Sequence, residues 1–293
     1  MARGPNDPAM MGFMGKVDIP VLGAALRATS CSLNAKQTID HPDVIDGTSD
    51  WSIYQLRGIE IDGDVAFPVL NGQGFIANLF TLVKRGGDGQ PQASQFDTNV
   101  FYGAAGAYGR KFQGCVVNSF EIRATAGERV DCTINIWGRK MEETGSTSAP
   151  PGSVLRVLGW ADINVSGVGG NEGCDIRELS VTVNNSLARN YTFCAADGYF
   201  PNNISAGKRQ VNGTLGFLGP APTPGPTNIG TGQADCAPTL ADLSFNFLCG
   251  VGSISAHGVV FEYQTLEAQP GVITSTVNWY AHSGDINGSI EGA

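Results

Sequence analysis

Apolar and polar residues alternate with a period of two in several short runs of the chain. Leu26, Thr29 and Cys31 begin one, Val130, Cys132, Ile134 and Ile136 form a second, and Leu179, Val181 and Val183 a third. Successive side chains of an extended strand point to opposite faces, so each run reads as a strand with one face in a core and the other in water. One segment breaks the rhythm. GFIANLFTLVKR (74–85) places Phe75, Ile76, Phe80, Leu82 and Val83 ahead of Lys84, Arg85 and Gly86, which reads as a short helix and its stop. The predicted class is mainly β, with packed antiparallel sheets and a short flanking helix.

The runs recur. ALRATSCSLN (25–34) and DIRELSVTVN (175–184) match at an offset of 150, with Arg27 over Arg177, Ser30 over Ser180 and Asn34 over Asn184. The same offset lays IEIDGDVAF (59–67) over RQVNGTLGF (209–217), pairing Gly63 with Gly213 and Phe67 with Phe217. A third block, SFEIRATAGERVDCTINIWGR (119–139), resembles VFEYQTLEAQPGVITSTVNWYAH (260–282) at offsets of 141 to 143. These matches read as a tandem duplication with changed loop lengths. They divide the chain into an N-terminal arm (1–24), a first copy (25–140), a linker (141–174) and a second copy (175–293).

Four segments read as loops or arms: 1–24, 86–110, 141–152 and the proline-rich 219–238, whose prolines exclude a helix. TLADLSFNFL (239–248) then restores a turn or a strand. Loops of this length commonly bind something. Phe96, Phe101, Tyr102 and Tyr108 in 86–110 are aromatic anchors for a partner, with ordinary surface packing as the plainer alternative. In the arm, Met10, Met11, Phe13 and Met14 offer adaptable apolar surface.

Composition narrows the function. Only 15% of the residues are charged, and 40 glycines and 15 prolines fit many short strands and turns. Lys+Arg 18 against Asp+Glu 27 leaves a formal charge of -9, which argues against a basic surface that holds nucleic acid. Seven scattered cysteines without a CxxC pair read as reduced, buried small hydrophobes. No run of 18 apolar residues predicts a membrane span, and the start lacks a signal-peptide core, so a cytoplasmic origin is expected. Three histidines without metal-ligand spacing, and glycine runs that fail the dinucleotide pattern, give no support to an enzyme, a metal or a cofactor. Glu60, Asp62 and Asp64 fall on one face of a strand, opposite Ile61, Val65 and Phe67. The second copy has Gln210, Asn212 and Thr214 at those places, which keeps the polarity without the charge and favours a water-facing wall over a calcium site.

The two β-rich copies, the phrase GKRQVNGTLGFLG (207–219), the opening DIRELSVTVNNSLARNY (175–191) and strands of the type VNSFEIRATAGERVDCTINIWGR (117–139) resemble the major tail tube proteins of long-tailed bacteriophages. The resemblance covers nearly the whole chain outside the arm and long loops. It implies two tandem tail-tube-like domains whose edge strands join a ring-shaped β-barrel between subunits, with rings stacking into a hollow tube. Related tubes have sixfold rings of single-copy subunits, so a duplicated chain is expected to close as a homotrimer with pseudo-sixfold symmetry, or else as a hexamer. The implied partners are the chain itself, a tape-measure protein, and tail terminator and distal tail proteins, with DNA only in transit and no membrane. Glu60, Asp62, Asp64, Gln210, Asn212 and Thr214 become the candidates for the lumen face. Met10, Met11, Phe13, Met14, Phe96, Phe101, Tyr102 and Tyr108 become the candidates for ring stacking. The rival expectations are a distal tail or baseplate ring of the same fold, and a β-sandwich carbohydrate-binding module of the virion. Carbohydrate binding calls for clustered tryptophans, whereas Trp51, Trp137, Trp160 and Trp279 are scattered.

Overall fold

The computed structural model describes residues 16–22, 26, 28–40, 55–71, 78–79, 82–83, 95–102, 108–144, 156–168, 175–192, 198–219, 241–247, 252–262, 265–269 and 272–281. The first half of the chain contributes β1 (Lys16–Asp18), β2 (Ser30–Cys31), β3 (Asn34–Asp40), β4 (Gln55–Pro68), β5 (Leu70–Asn71), β6 (Phe96–Tyr102), β7 (Tyr108–Thr125), β8 (Asp131–Gly138) and β9 (Lys140–Thr144). The second contributes β10 (Arg156–Val157), β11 (Ile163–Ser166), β12 (Ile176–Asn184), β13 (Leu187–Asn190), β14 (Asn203–Ala206), β15 (Gln210–Leu218), β16 (Ala241–Phe247), β17 (Gly252–Phe261), β18 (Thr265–Gln269) and β19 (Val272–Ala281). All the pairings are antiparallel. The runs Val130–Ile136 and Leu179–Val183 are strands, and Cys132, Ile134 and Ile136, like Val181, Val183, Val211 and Leu215, turn into one core. In the run from Leu26 only Cys31 lies in a strand, and at this sheet edge it is exposed rather than buried as expected.

The duplication becomes a strand order. One sheet runs β2, β4, β8, β7, then β12, β15, β19, β17, β16 and β11. The first four strands and the next four repeat one order, joined edge to edge by β7 and β12, from Glu178 opposite Thr125 to Asn184 opposite Ser119. Outside this path β1 pairs β6, which matches the pairing of β11 with β16 at its end. The offset of 150 holds between β4 and β15, since Asp62 faces Trp137 as Asn212 faces Tyr280. It does not hold for the preceding strand. Cys31 faces Val65 and Asn34 faces Asp62, whereas Val181 faces Gly213 and Thr182 faces Asn212, so β2 and β3 correspond to β12 at an offset of 148. A slip of two residues keeps every side chain on its own face.

Several segments expected as loops are ordered parts of the sheet. Within 1–24, β1 and the 3-10 turn Pro20–Leu22 bury Val17, Ile19 and Leu22. Within 86–110, β6 and the start of β7 form a hairpin, and the side chains of Phe96 and Phe101 are buried. This corrects the picture of free aromatic anchors, because an aromatic ring in the core is unavailable to a stacking neighbour. Tyr102 and Tyr108 face each other across the end of that hairpin. Within 141–174, β9 pairs β7 and β11 pairs β16 in the large sheet, while β10 pairs β5 in a separate two-stranded one. Met10, Met11, Phe13 and Met14, and all of 219–238 except Gly219, lie outside the described residues.

Residues 78–79 and 82–83 are helical, with Leu79, Leu82 and Val83 buried in the core. The Val83 carbonyl accepts hydrogen bonds from the buried Asn185 and Arg209 of the second copy, each at 3.4 Å. These bonds tie the helical residues of one copy to the other. Cys115 and Cys132 are buried and free; burial pushes the Cys115 thiol up to about 12 and raises that of Cys132 as well, which leaves both inert.

Candidate polar face and its edges

The face of the sheet that is turned away from the core is polar across both copies. One line across the strands runs Ala66, Thr133, Glu121, Thr182, Asn212 and Tyr280. A second runs Asp131, Arg123, Ser180, Thr214 and Asn278. Around the junction this face is concave, forming a groove lined by Glu121, Arg123, Glu178, Thr182, Asn212 and Tyr280 among others. Its charges are largely neutralised locally: Arg123 sits 2.7 Å from Glu121, and Arg129 sits 2.9 Å from Asp131. The remainder is hydroxyl and amide with the exposed Glu178 carboxylate, which contact water freely and do not hold a polyanion.

The line through Ala66 reaches Asn212, the counterpart of Asp62, so four strands carry a displacement of four residues. Such stagger tilts strands against the axis of any barrel the sheet enters.

The six residues expected on the lumen share this side of the sheet, but they do not share one environment. Asp64 is exposed; its carboxylate accepts a hydrogen bond from Asn135 Nδ2 at 2.8 Å. Asn212 and Thr214 line the concave groove, and the exposed Gln210 stands opposite Asn184. Glu60 and Asp62 are drawn into a bridge instead. Arg189, on the β13–β14 hairpin, lies 2.9 Å from Asp62 Oδ2 and 3.7 Å from Glu60 Oε2, and its guanidinium stacks 4.0 Å from the centre of the Trp137 ring. Arg189 also donates to the Ile61 carbonyl at 3.1 Å. The three carboxylates therefore do not form an open acidic stripe, and among the described residues no three metal-binding side chains converge.

Sequence reasoning missed Arg189 because its acidic partner lies 127 positions away and no local pattern marks it. Its role has a measurable size. Arg189 is only 10% exposed, so Arg189→Ala leaves Asp62 facing a vacated site and removes the ring contact, at a cost of about 2 kcal/mol. At this chain length the midpoint of thermal unfolding is expected to fall by about 5 °C, with Arg189→Lys recovering little because lysine lacks the planar fork. An unchanged melting curve would remove the bridge from the list of what holds the two copies together.

Corresponding strands of the two copies repeat a motif. Ser32 Oγ accepts from the Asp64 amide at 2.8 Å, and Ser180 Oγ accepts from the Thr214 amide at 3.1 Å. In both copies a serine hydroxyl takes a ladder position beside a glycine, Gly63 or Gly213. A Cβ built on Gly63 would lie 2.4 Å from Leu33 Cα, and one on Gly213 would lie 2.0 Å from the Ser180 carbonyl oxygen. Only glycine permits this approach of neighbouring backbones.

A family model described as phage tail tube protein matches residues 20–281. Among solved structures, Hcp1 from Flavobacterium johnsoniae is similar at 12% identity and a TM-score of 0.30, covering 46% of this chain and 97% of its own. The tube-terminating cap of the anti-feeding prophage is similar at 13% identity and a TM-score of 0.36, covering 50% of this chain and 97% of its own. No curated protein matches the sequence.

Proposed function

Because the chain belongs to the phage tail tube protein family, we propose that its copies close into rings and stack into the hollow tube through which a viral genome passes into the host. The chain is a structural component of the virion tail, and no described helix is long and apolar enough to cross a membrane. The single observation that carries the finer reading is the tandem sheet, in which two copies already join edge to edge under one continuous, weakly charged, concave face. A sheet that has solved the junction once inside the chain needs only the same junction between chains to close, and closure removes the exposed edges that otherwise promote aggregation.

The register supports a size for the ring. A displacement of four residues over four strands equals one residue per strand, the ratio of eight-stranded barrels of shear eight, whose strands tilt by about 36°. Three chains, with six copies of four strands, would give about 24 strands spaced by about 4.8 Å, and hence a backbone radius of about 23 Å at that tilt. Side chains leave a lumen about 30 Å wide, which passes a hydrated duplex. A ring of six such chains would double that radius, so the homotrimer with pseudo-sixfold symmetry fits DNA transit better. Asp64, Asn212 and Thr214 would face the channel, with Gln210 near its rim, while Glu60 and Asp62 would brace the hairpin above it. No residue is assigned a catalytic role, and no cofactor is invoked.

Growth along the axis would use the arm, with Met10, Met11, Phe13 and Met14 as apolar contacts for the next ring, around a tape-measure protein and between distal tail and terminator proteins in the host cytoplasm. Electron microscopy of the concentrated protein tests the reading. Rings with a central hole and threefold or sixfold end views, stacked into tubes, are expected, and deletion of residues 1–15 should leave rings that do not stack. Monomers at every concentration, with and without tail initiator proteins, would overturn it.

A further inference from the structure

We propose that the two outer edges of the sheet pair with each other between copies of this chain, in the register that β7 and β12 already use within it; the inference rests on the self-assembly reading above. The end of β17 and β18 stand to β19 as the C-terminal half of β7 stands to β8. Ser119 faces Asn135 and Glu121 faces Thr133 in the first copy; in the second, the Glu262 amide donates to the Asn278 carbonyl at 2.8 Å and Thr265 faces Thr276. On β7 the outer side of this stretch is taken by β12. Among the described residues no strand takes the outer side of β18, and none takes the outer side of β2 and β3, the counterparts of β12.

A second observation points to the same occupant. The β13–β14 hairpin leaves β12 and lies over the first copy, where Leu187 and Ile204 help bury Val116 to 2% exposure and Arg189 covers Trp137. The counterparts in the second copy are open: Val260 is half-buried and Tyr280 is 43% exposed. The corresponding hairpin of the first copy, β3 with the start of β4, leaves the free edge with Ile39 53% exposed. Within one chain the cover and the surface it fits are at opposite ends of the sheet. A second copy brings them together, burying Ile39 and Tyr280 in one step.

The internal junction fixes the pairing. Carried over residue by residue, it sets Ser30 opposite Gln269, Asn34 opposite Thr265 and Lys36 opposite Glu262 of the next chain. The last pair joins an exposed lysine to an exposed glutamate, the arrangement that favours this register over a slipped one.

Cysteine cross-linking in the full chain tests the register, in a Cys31→Ser background that removes the exposed thiol of this edge. Lys36→Cys with Glu262→Cys, treated with a thiol-specific reagent of two-carbon span, is expected to give a ladder that ends at one closed ring. Lys36→Cys with Gln269→Cys, displaced by about six ladder positions or about 20 Å along the strand, is expected to cross-link at least tenfold less. Ser30→Cys with Gln269→Cys repeats the test at an independent position should the first pair fold poorly by circular dichroism. Rings visible by microscopy with no ladder from either matched pair, or equal cross-linking of the displaced pair, would overturn the register while leaving self-assembly standing. Absence of any assembly would overturn both.

Discussion

Asp64→Lys, Asn212→Lys and Asn278→Lys combined are expected to leave tubes of normal length and number while lowering infectivity by at least 100-fold. The three positions lie on the polar side of the sheet, Asp64 and Asn278 exposed and Asn212 half-buried, so lysine at each meets water rather than core. None of the three carries the Arg189 bridge or the Ser180–Thr214 hydrogen bond, and the one bond lost, from Asn135 to the exposed Asp64 carboxylate, is a surface contact, so tube number and length serve as the folding control. In the wild-type wall the one cation at the junction groove, Arg123, is paired with Glu121, and Glu178 adds a negative charge there. A passing phosphate backbone then finds no fixed cation to release its counterions for. Each added lysine supplies one, and contacts of this type steepen the salt dependence of binding by about 0.9 per phosphate. With nine added lysines per ring of three chains and many rings in series, the genome would stall. Ejection measured in vitro should recover as salt rises, because the barrier is electrostatic. Normal ejection at low salt would exclude this face from the channel, and loss of tubes would mean that the face is buried in the assembly.

Much of this architecture is written locally, and some of it is not. Alternation in Val130–Ile136 and Leu179–Val183 identifies strands because a half-buried strand imposes its period on the sequence. The duplication is legible for the same reason, and the paired Gly63 and Gly213 mark a real constraint, since a neighbouring backbone occupies the space a side chain would need. The offset of 148 in the first strand was out of reach, since a slip of two leaves the alternation intact and only the pairing of Asn34 with Asp62 reveals it. Phe96 and Phe101 read as loop residues because glycines surround them, whereas β1 and β7 on either side of β6 decide their burial. The bridge from Arg189 to Asp62 and Trp137 joins residues from both copies, and no window along the chain contains it.

Gly213→Ala is expected to cost about 4 kcal/mol, a large loss for a single added methyl group. The added Cβ would stand 2.0 Å from the Ser180 carbonyl oxygen and 2.6 Å from Trp279, a side chain with no exposed surface that stacks on Phe245 with ring centres 5.9 Å apart. Neither neighbour can yield. The carbonyl belongs to the strand that joins the two copies, and a fully buried indole has nowhere to move without opening a void. Gly63→Ala should cost a similar amount, since its Cβ would meet the backbone of Ser32 and Leu33 at 2.4 to 2.6 Å. Gly216, in the same strand as Gly213, provides the control: its Cβ would come no closer than 3.2 Å, and then to the side chain of Glu178, so Gly216→Ala should cost under about 1 kcal/mol. Thermal unfolding of the three variants decides the matter, with falls of about 10 °C expected for the first two and about 2 °C or less for the third. Equal, small shifts in all three would mean that the strands do not pinch at these glycines. The pairing of Ser32 and Ser180 hydroxyls with the amides beside them would then lose its structural reason.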